Sequence, residues 1–247
     1  MPKVNFDKFR AERAKELRDL SSILERHRLL YDTSPLKNAA AYCGKSKPAG
    51  KNSWGYSVNR LIFRLVPNYC VLPSKIAELN LIMDVNLCGS CVEDKDSVDP
   101  LCLLAFEIAI EGKDTSGKPL YFFWYMDRHE LKSGDTPPDN VHPRYHFQHG
   151  GRILKQKQLS HGDNLFLEPP RIAHPPLDAI LGVDFLLSNF LGNKWKKLKL
   201  EDNQYNNLVQ KSQELFWKPY MTVAMKAWGT NTGQATWQAN HNWPQIV

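Results

Sequence analysis

Apolar side chains recur at helical spacing between residues 5 and 31, where Phe6, Phe9, Leu17, Leu20, Leu24 and Tyr31 stand among charges. That period predicts an amphipathic helix, with Asn5 placed to cap its first turn. Its first half is mostly polar, so the packing surface belongs to the C-terminal half. The period is lost over residues 32–57. There SPLKNAAAYCGKSKPAGKNSWG carries two prolines and three glycines among small and polar residues, which predicts a loop.

The pattern then shortens to strand length. RLIFRLV (60–66) and LNLIMDVNL (79–87) are aliphatic runs bounded by Pro67, Pro73 and Gly89, and LCLLAFEIAIEG (101–112) and LYFFWYMDRHEL (120–131) follow. The last two are joined by KDTSGKP, whose serine, glycine and proline suit a hairpin turn. PRYHFQHGG reads as the closing strand, with Tyr145 and Phe147 on one face and Arg144, His146 and Gln148 on the other.

Beyond it, LEPPRIAHPPLDAILGVDFLLSNFLG passes from proline-stiffened coil into a helix starting near Pro175 or Pro176. Leu177, Ile180, Leu181, Phe185 and Leu186 form its predicted buried stripe, and Gly192 its stop. A further helix is expected over 202–228, interrupted or restarted at Pro219. The tail reads as coil with two tryptophans that favour a groove to pack into. Strands grouped together and helices segregated to the ends predict an α+β fold: an N-terminal helix, an antiparallel meander, a proline-rich segment and C-terminal helices. The expected organisation is a helix and loop over 1–57 and one α+β domain over 58–247. Within it the meander spans 58–151 and the helical part and tail span 152–247.

Composition narrows the classes. At 42% hydrophobic and 23% charged residues, the 247-residue chain has the profile of a globular protein. No run of about 18 apolar residues exists to span a membrane. The charged N-terminus lacks the apolar core of a secretory signal. Five cysteines at irregular spacing point to free thiols in a reducing compartment, so the reading is cytoplasmic. The net charge of +6 permits an acidic or nucleic-acid partner without requiring one. No glycine-rich phosphate loop lies at a strand-to-helix junction, and no cofactor is expected.

The densest candidate chemistry is histidine. Five of the eight histidines (His142, His146, His149, His161 and His174) fall within 33 positions. Imidazole near neutral pH serves as acid, base or metal ligand. With Arg144 to clamp a phosphate and Asp184 to orient a ring, His146, His149 and His174 make a candidate acid/base site for a phosphodiester. Structural histidines bonded to backbone carbonyls remain the alternative. The spacing fits no zinc signature, and no metal is expected. Cys88 and Cys91 form a lone CxxC that needs Cys102 or a histidine to complete a metal site and lacks the following helix of a redox motif. Asp178 suits a helix first turn on dipole grounds alone. Lys194, Trp195, Lys196 and Lys197, in NKWKKLKL, are a candidate nucleic-acid grip or else a solvated connection between helices.

His142, Pro143 and the glycines Gly150 and Gly151 resemble, loosely, the His-Pro element of the ubiquitin-conjugating-enzyme fold. PPLDAILGVDFLLSNF resembles the helix that follows that family's active site. The likeness spans residues 60–191 and rests mostly on element order. Arg144 stands where the family has asparagine, and no cysteine follows Cys102 to form a thioester. The resemblance therefore implies a binding relative rather than a conjugating enzyme. Two functions follow as expectations. One is a non-catalytic protein-interaction module, a component of a multi-protein prokaryotic or phage-related system. The other is a histidine-based, ribonuclease-like hydrolase of nucleic acid.

Overall fold

The structure, a computed structural model, describes residues 5–65, 76–91, 98–130, 141–150, 156–157, 171–229 and 237–246. His161 and Gly151, singled out above, lie outside the described residues. Helix α1 (Phe6–Arg26) begins where the sequence places it, with the Asn5 carboxamide oxygen accepting from the Lys8 N–H at 3.0 Å. It stops short of Tyr31 because Arg28 adopts a left-handed conformation (φ 53°), and Leu29 N–H returns to the Leu24 carbonyl at 2.9 Å. Tyr31 is consequently exposed.

The expected loop over 32–57 is not uniform coil. Helix α2 spans Ser34–Cys43 with Pro35 in its first turn. It buries Leu36, Ala39, Ala40 and Cys43, which follow one another at i, i+3, i+4 and i+7. Proline there is a start signal rather than a breaker, because its missing N–H falls where no helical partner exists. The first strand also begins earlier than the aliphatic run indicates.

Six antiparallel strands form one sheet in chain order: β1 (Ser53–Arg64), β2 (Ile76–Ser90), β3 (Leu101–Asp114), β4 (Pro119–Arg128), β5 (Tyr145–His149) and β6 (Ile172–Ala173). The meander is thus as the hydrophobic pattern predicts, with the two-residue β6 added at its edge. KDTSGKP closes as a hairpin: Asp114 N–H bonds the Lys118 carbonyl at 3.0 Å, and Gly117 supplies the positive φ of 85°. One sheet face is the main core floor. Tyr56, Val58, Phe63, Met83, Phe106, Ile108, Met126 and Phe147 there join one apolar cluster with α1, α2 and the C-terminal helices, so residues 5–57 share a core with the rest. The opposite face carries a small separate cluster of Ile82, Ala109 and Phe123, flanked by Tyr121 and Tyr125.

The C-terminal layer starts behind Pro175 and Pro176 with α3 (Ala179–Phe190). Asp178 is its N-cap, accepting from Leu181 N–H at 2.9 Å. Gly192 does not end the helical region. It opens α4 (Gly192–Glu201), so the lysine run is itself helical. Helix α5 (Asn203–Ser212) follows, capped by Asp202. A π-helical turn (Gln213–Trp217) then leads into α6 (Lys218–Met225), with Pro219 in its first turn, and a single 3-10 turn (Lys226–Trp228). The tail is not wholly coil: α7 spans Ala239–Asn242. Among the described residues no helix is long and apolar enough to cross a membrane.

Gly182 sets how closely α3 approaches the sheet. A Cβ at that position would lie 2.4 Å from a Phe106 ring carbon and 3.0 Å from the Met83 sulfur, and both side chains are fully buried. Gly182→Val should therefore lower unfolding stability by roughly 2–3 kcal/mol through overpacking. Chemical denaturation measures this. An unchanged midpoint would show that the contact is not tight.

Candidate functional site

Strand β5 carries the predicted chemistry, and its alternation is as expected. Tyr145 and Phe147 enter the main core, while His146 and Gln148 turn to the opposite face beside Asp127 and Tyr125, their cross-strand partners on β4. Both faces of β5 are buried. The His146 Nδ1–H donates to the Pro143 carbonyl at 3.0 Å, and Nε2 lies 3.3 Å from an Asp127 oxygen. Burial holds its pKa below the ordinary imidazole value, against the pull of Asp127. His142 lies between His146 and His129, with ring centroids at 5.6 and 4.6 Å.

His149 and His174 belong to the other side of the sheet. His149 packs on Phe122 and Trp124 at 4.7 and 5.2 Å. His174 bonds the Pro175 carbonyl at 2.6 Å and sits among Phe147, Phe185 and Trp217. Burial lowers the pKa of both. The candidate acid/base trio is therefore divided by the sheet, with His146 on one face and His149 and His174 on the other.

Arg144 is engaged elsewhere. Its guanidinium donates to Asp99 Oδ2 at 3.0 Å, lies 3.8 Å from Glu130, and covers the Trp237 ring at 6.0 Å. Asp99 is the hub of that corner: it also accepts from Arg128 Nε at 3.0 Å, from the Tyr145 hydroxyl and from Leu101 N–H. Arg144 N–H holds the tail through the His241 carbonyl at 2.6 Å. The arginine thus braces β5 against the tail rather than facing the histidines.

Asp184 receives the Trp195 indole N–H at 2.8 Å and the Tyr205 hydroxyl at 2.9 Å, tying α3 to α4 and α5, and it orients no histidine among the described residues. Lys194, Lys196 and Lys197 are exposed on α4, but Trp195 is half-buried and pinned by Asp184, with Lys199 over its ring at 5.8 Å. Its ring is not free to stack a base. The pair Cys88 and Cys91 is split as well. Cys91 enters the main core, whereas the Cys88 sulfur lies 3.1 Å from that of Cys102. Among the described residues no group of three or more His, Cys, Asp or Glu is arranged to hold a metal ion.

An open, largely apolar surface lies at the C-terminal end. Tyr220, Val223 and Ala224 fix the inner side of α6 to the core, and the tail docks on it: Trp237 is buried, its indole N–H donates to Asn242, and Asn242 donates to the Tyr220 carbonyl at 3.1 Å. Trp243 packs edge-on against Tyr220 at 5.1 Å. The tail's tryptophans do occupy a groove, as the sequence predicts, and Trp243 then becomes one wall of another. On the outer side of the same helix Met221 and Met225, and Trp228 at the end of the 3-10 turn that follows, stand at i, i+4 and i+7 and are 42%, 68% and 73% exposed. With Ala224, Trp243, Gln245 and Ile246 they line a groove of about 500 Å³. No protein-family model, no curated protein and no solved structure matches this chain.

Sequence reasoning missed both this stripe and a buried carboxylate on α1. Glu16 shares the helix face of Leu20 and Ile23, a spacing that could have marked it. It is paired with Arg13 beside a cleft lined by Phe9, Glu12, Lys211 and Glu214, while its Oε2 finds no hydrogen-bond partner among the described residues. Burial raises its pKa to about 7, with Arg13 opposing. An acid whose folded pKa is raised holds its proton more tightly when folded. Its favourable share of stability is complete below the unfolded value of 4.5 and is lost as pH climbs towards 7, by a few kcal/mol in all. The buried histidines act in the opposite sense below their unfolded value of 6.5, so only a difference between proteins isolates Glu16. Glu16→Gln should gain stability relative to the parent between pH 4.5 and 7 and keep a constant difference above. Thermal unfolding across that range measures it, and parallel pH profiles would remove the assignment.

Proposed function

We propose that the chain is a protein-interaction module that docks a partner segment into the groove between α6 and the tail. The observation that carries this reading is the outward stripe of Met221 and Met225, continued by Trp228 of the following 3-10 turn, on a helix whose opposite side is already buried. A helix apolar on both sides needs a second surface to cover it. Methionine and tryptophan are suited to that task, because flexible thioethers adapt to a partner and an indole buries a large area.

The expected occupant is an amphipathic protein segment bearing acidic residues beside its apolar face. Lys218 and Lys226 line the continuation of the groove past Met221 and Met225, and the whole chain carries +6. The separation of His146 from Arg144, His149 and His174 supports binding over hydrolysis. The likeness to the ubiquitin-conjugating fold, with its thioester cysteine missing, points the same way as an expectation.

Titrating the protein with amphipathic helical peptides, acidic-flanked or basic-flanked, reads the groove through Trp228 and Trp243 fluorescence. The acidic-flanked peptide should bind with a blue shift, and Met225→Asp should weaken it at least tenfold while the circular dichroism stays unchanged. Equal binding of both peptides, or none, would overturn the reading. So would a concentration-dependent dimer in sedimentation that Met225→Asp abolishes, since a second copy would then be the occupant. A ribonuclease activity lost in His146→Ala would restore the hydrolase alternative.

A further inference from the structure

Cys88 and Cys102 lie on neighbouring strands, and their placement has a specific cause. The β2–β3 register runs Cys88 opposite Leu103 and then Gly89 opposite Leu101, so Cys102 is an extra residue on β3 with no partner of its own. This β-bulge turns two successive residues, Cys102 and Leu103, outward between buried Leu101 and Leu104. In a regular strand one of them would face the core. The bulge instead brings the Cys102 sulfur to 3.1 Å from that of Cys88 on the same side of the sheet. Cys102 is exposed and Cys88 partly so, whereas Cys43 and Cys91 are buried.

We propose that Cys88 and Cys102 form a thiol–disulfide exchange site, a dithiol that low-molecular-weight disulfides such as glutathione disulfide oxidise reversibly to a cross-strand disulfide. The exposed Cys102 thiolate attacks one sulfur of the small disulfide; a Cys102–S bond forms, the small S–S bond breaks, and one small thiolate leaves. Cys88, deprotonated, then attacks Cys102 Sγ; the Cys88–Cys102 bond forms and the second small thiolate leaves. The protein loses two electrons and two protons, and the small disulfide becomes two thiols. The order of attack follows from exposure: Cys102 is exposed and meets the small disulfide first, whereas burial, then the neighbouring Cys102 sulfur, pushes the Cys88 thiol up to about 12 and keeps it from starting the exchange. Attack by Cys102 removes its thiol as a neighbour and puts an electrophilic sulfur within reach.

Oxidation ties β2 to β3 across their connection, and closing a loop of that size should raise Tm by roughly 5–10 °C. The test equilibrates the full chain in glutathione buffers from fully reduced to mostly disulfide, quenches with an alkylating reagent, and maps peptides by mass spectrometry. The expected product in the parent is a linked Cys88–Cys102 peptide, reversed by dithiothreitol, with the rise in Tm. Cys88→Ser should instead accumulate a mixed disulfide on Cys102, and Cys102→Ser should react more slowly than either. Three results would overturn the proposal: a stable glutathione adduct on Cys102 in the parent, links to other cysteines with this pair left reduced, or no oxidation at any ratio. Sites at the surface leave both serine variants able to fold, and circular dichroism verifies it.

Discussion

The carboxylate of Asp178 is the point on which the two layers depend. It is fully enclosed where α3 meets the sheet. One oxygen caps the helix through Leu181 N–H, and the other takes the Ser212 hydroxyl of α5 at 3.2 Å and lies 3.5 Å from the Tyr56 hydroxyl of β1. Tyr56 in turn accepts the Ala179 N–H at 3.1 Å. Three elements distant in sequence are thereby held by one side chain, and burial raises its pKa. Leaving such a group without partners costs more than any one of its bonds gains, so the surrounding contacts must form together. Asp178 also stands close enough to Glu16 on α1 to add to the rise in that carboxyl's pKa.

Much of this architecture is legible in the amino-acid order. Alternation and run length give the meander, Asn5 gives the start of α1, and Pro219 marks the restart in the last long helical stretch, because each rests on local rules that the packing obeys. The departures also have local causes. α2 hides among prolines, glycines and polar residues that read as loop by composition, although its three alanines favour a helix and its buried positions hold a helical period. Gly192 reads as a stop, but Leu191 ahead of it breaks the helix by its own backbone and leaves Gly192 free to begin the next.

The site was far less legible than the fold. Histidine density says how many imidazoles lie close in sequence, but not on which side of a sheet each falls. Alternation divides His146 from His149 within one five-residue strand, so a count that ignores the pleat unites residues that the sheet separates. Arg144 precedes the strand proper, so its direction is set by Asp99 and by the tail, contacts 45 and 97 residues away. Cys102 shows the reverse: its pairing with Cys88 depends on a bulge, a backbone event with no signature in side-chain order.

The wide turn at Gln213–Trp217 has a geometric meaning for everything after it. A helix that gains one residue in a turn is rotated by about 100° relative to an unbroken α-helix. The side of α6 that meets water is thus an angle inherited from five residues upstream. Because Ser212 is tied to Asp178 below and Tyr220 is clamped by the tail above, that angle is fixed at both ends, and the methionine ledge is presented by torsion in the backbone rather than by the identity of its own residues.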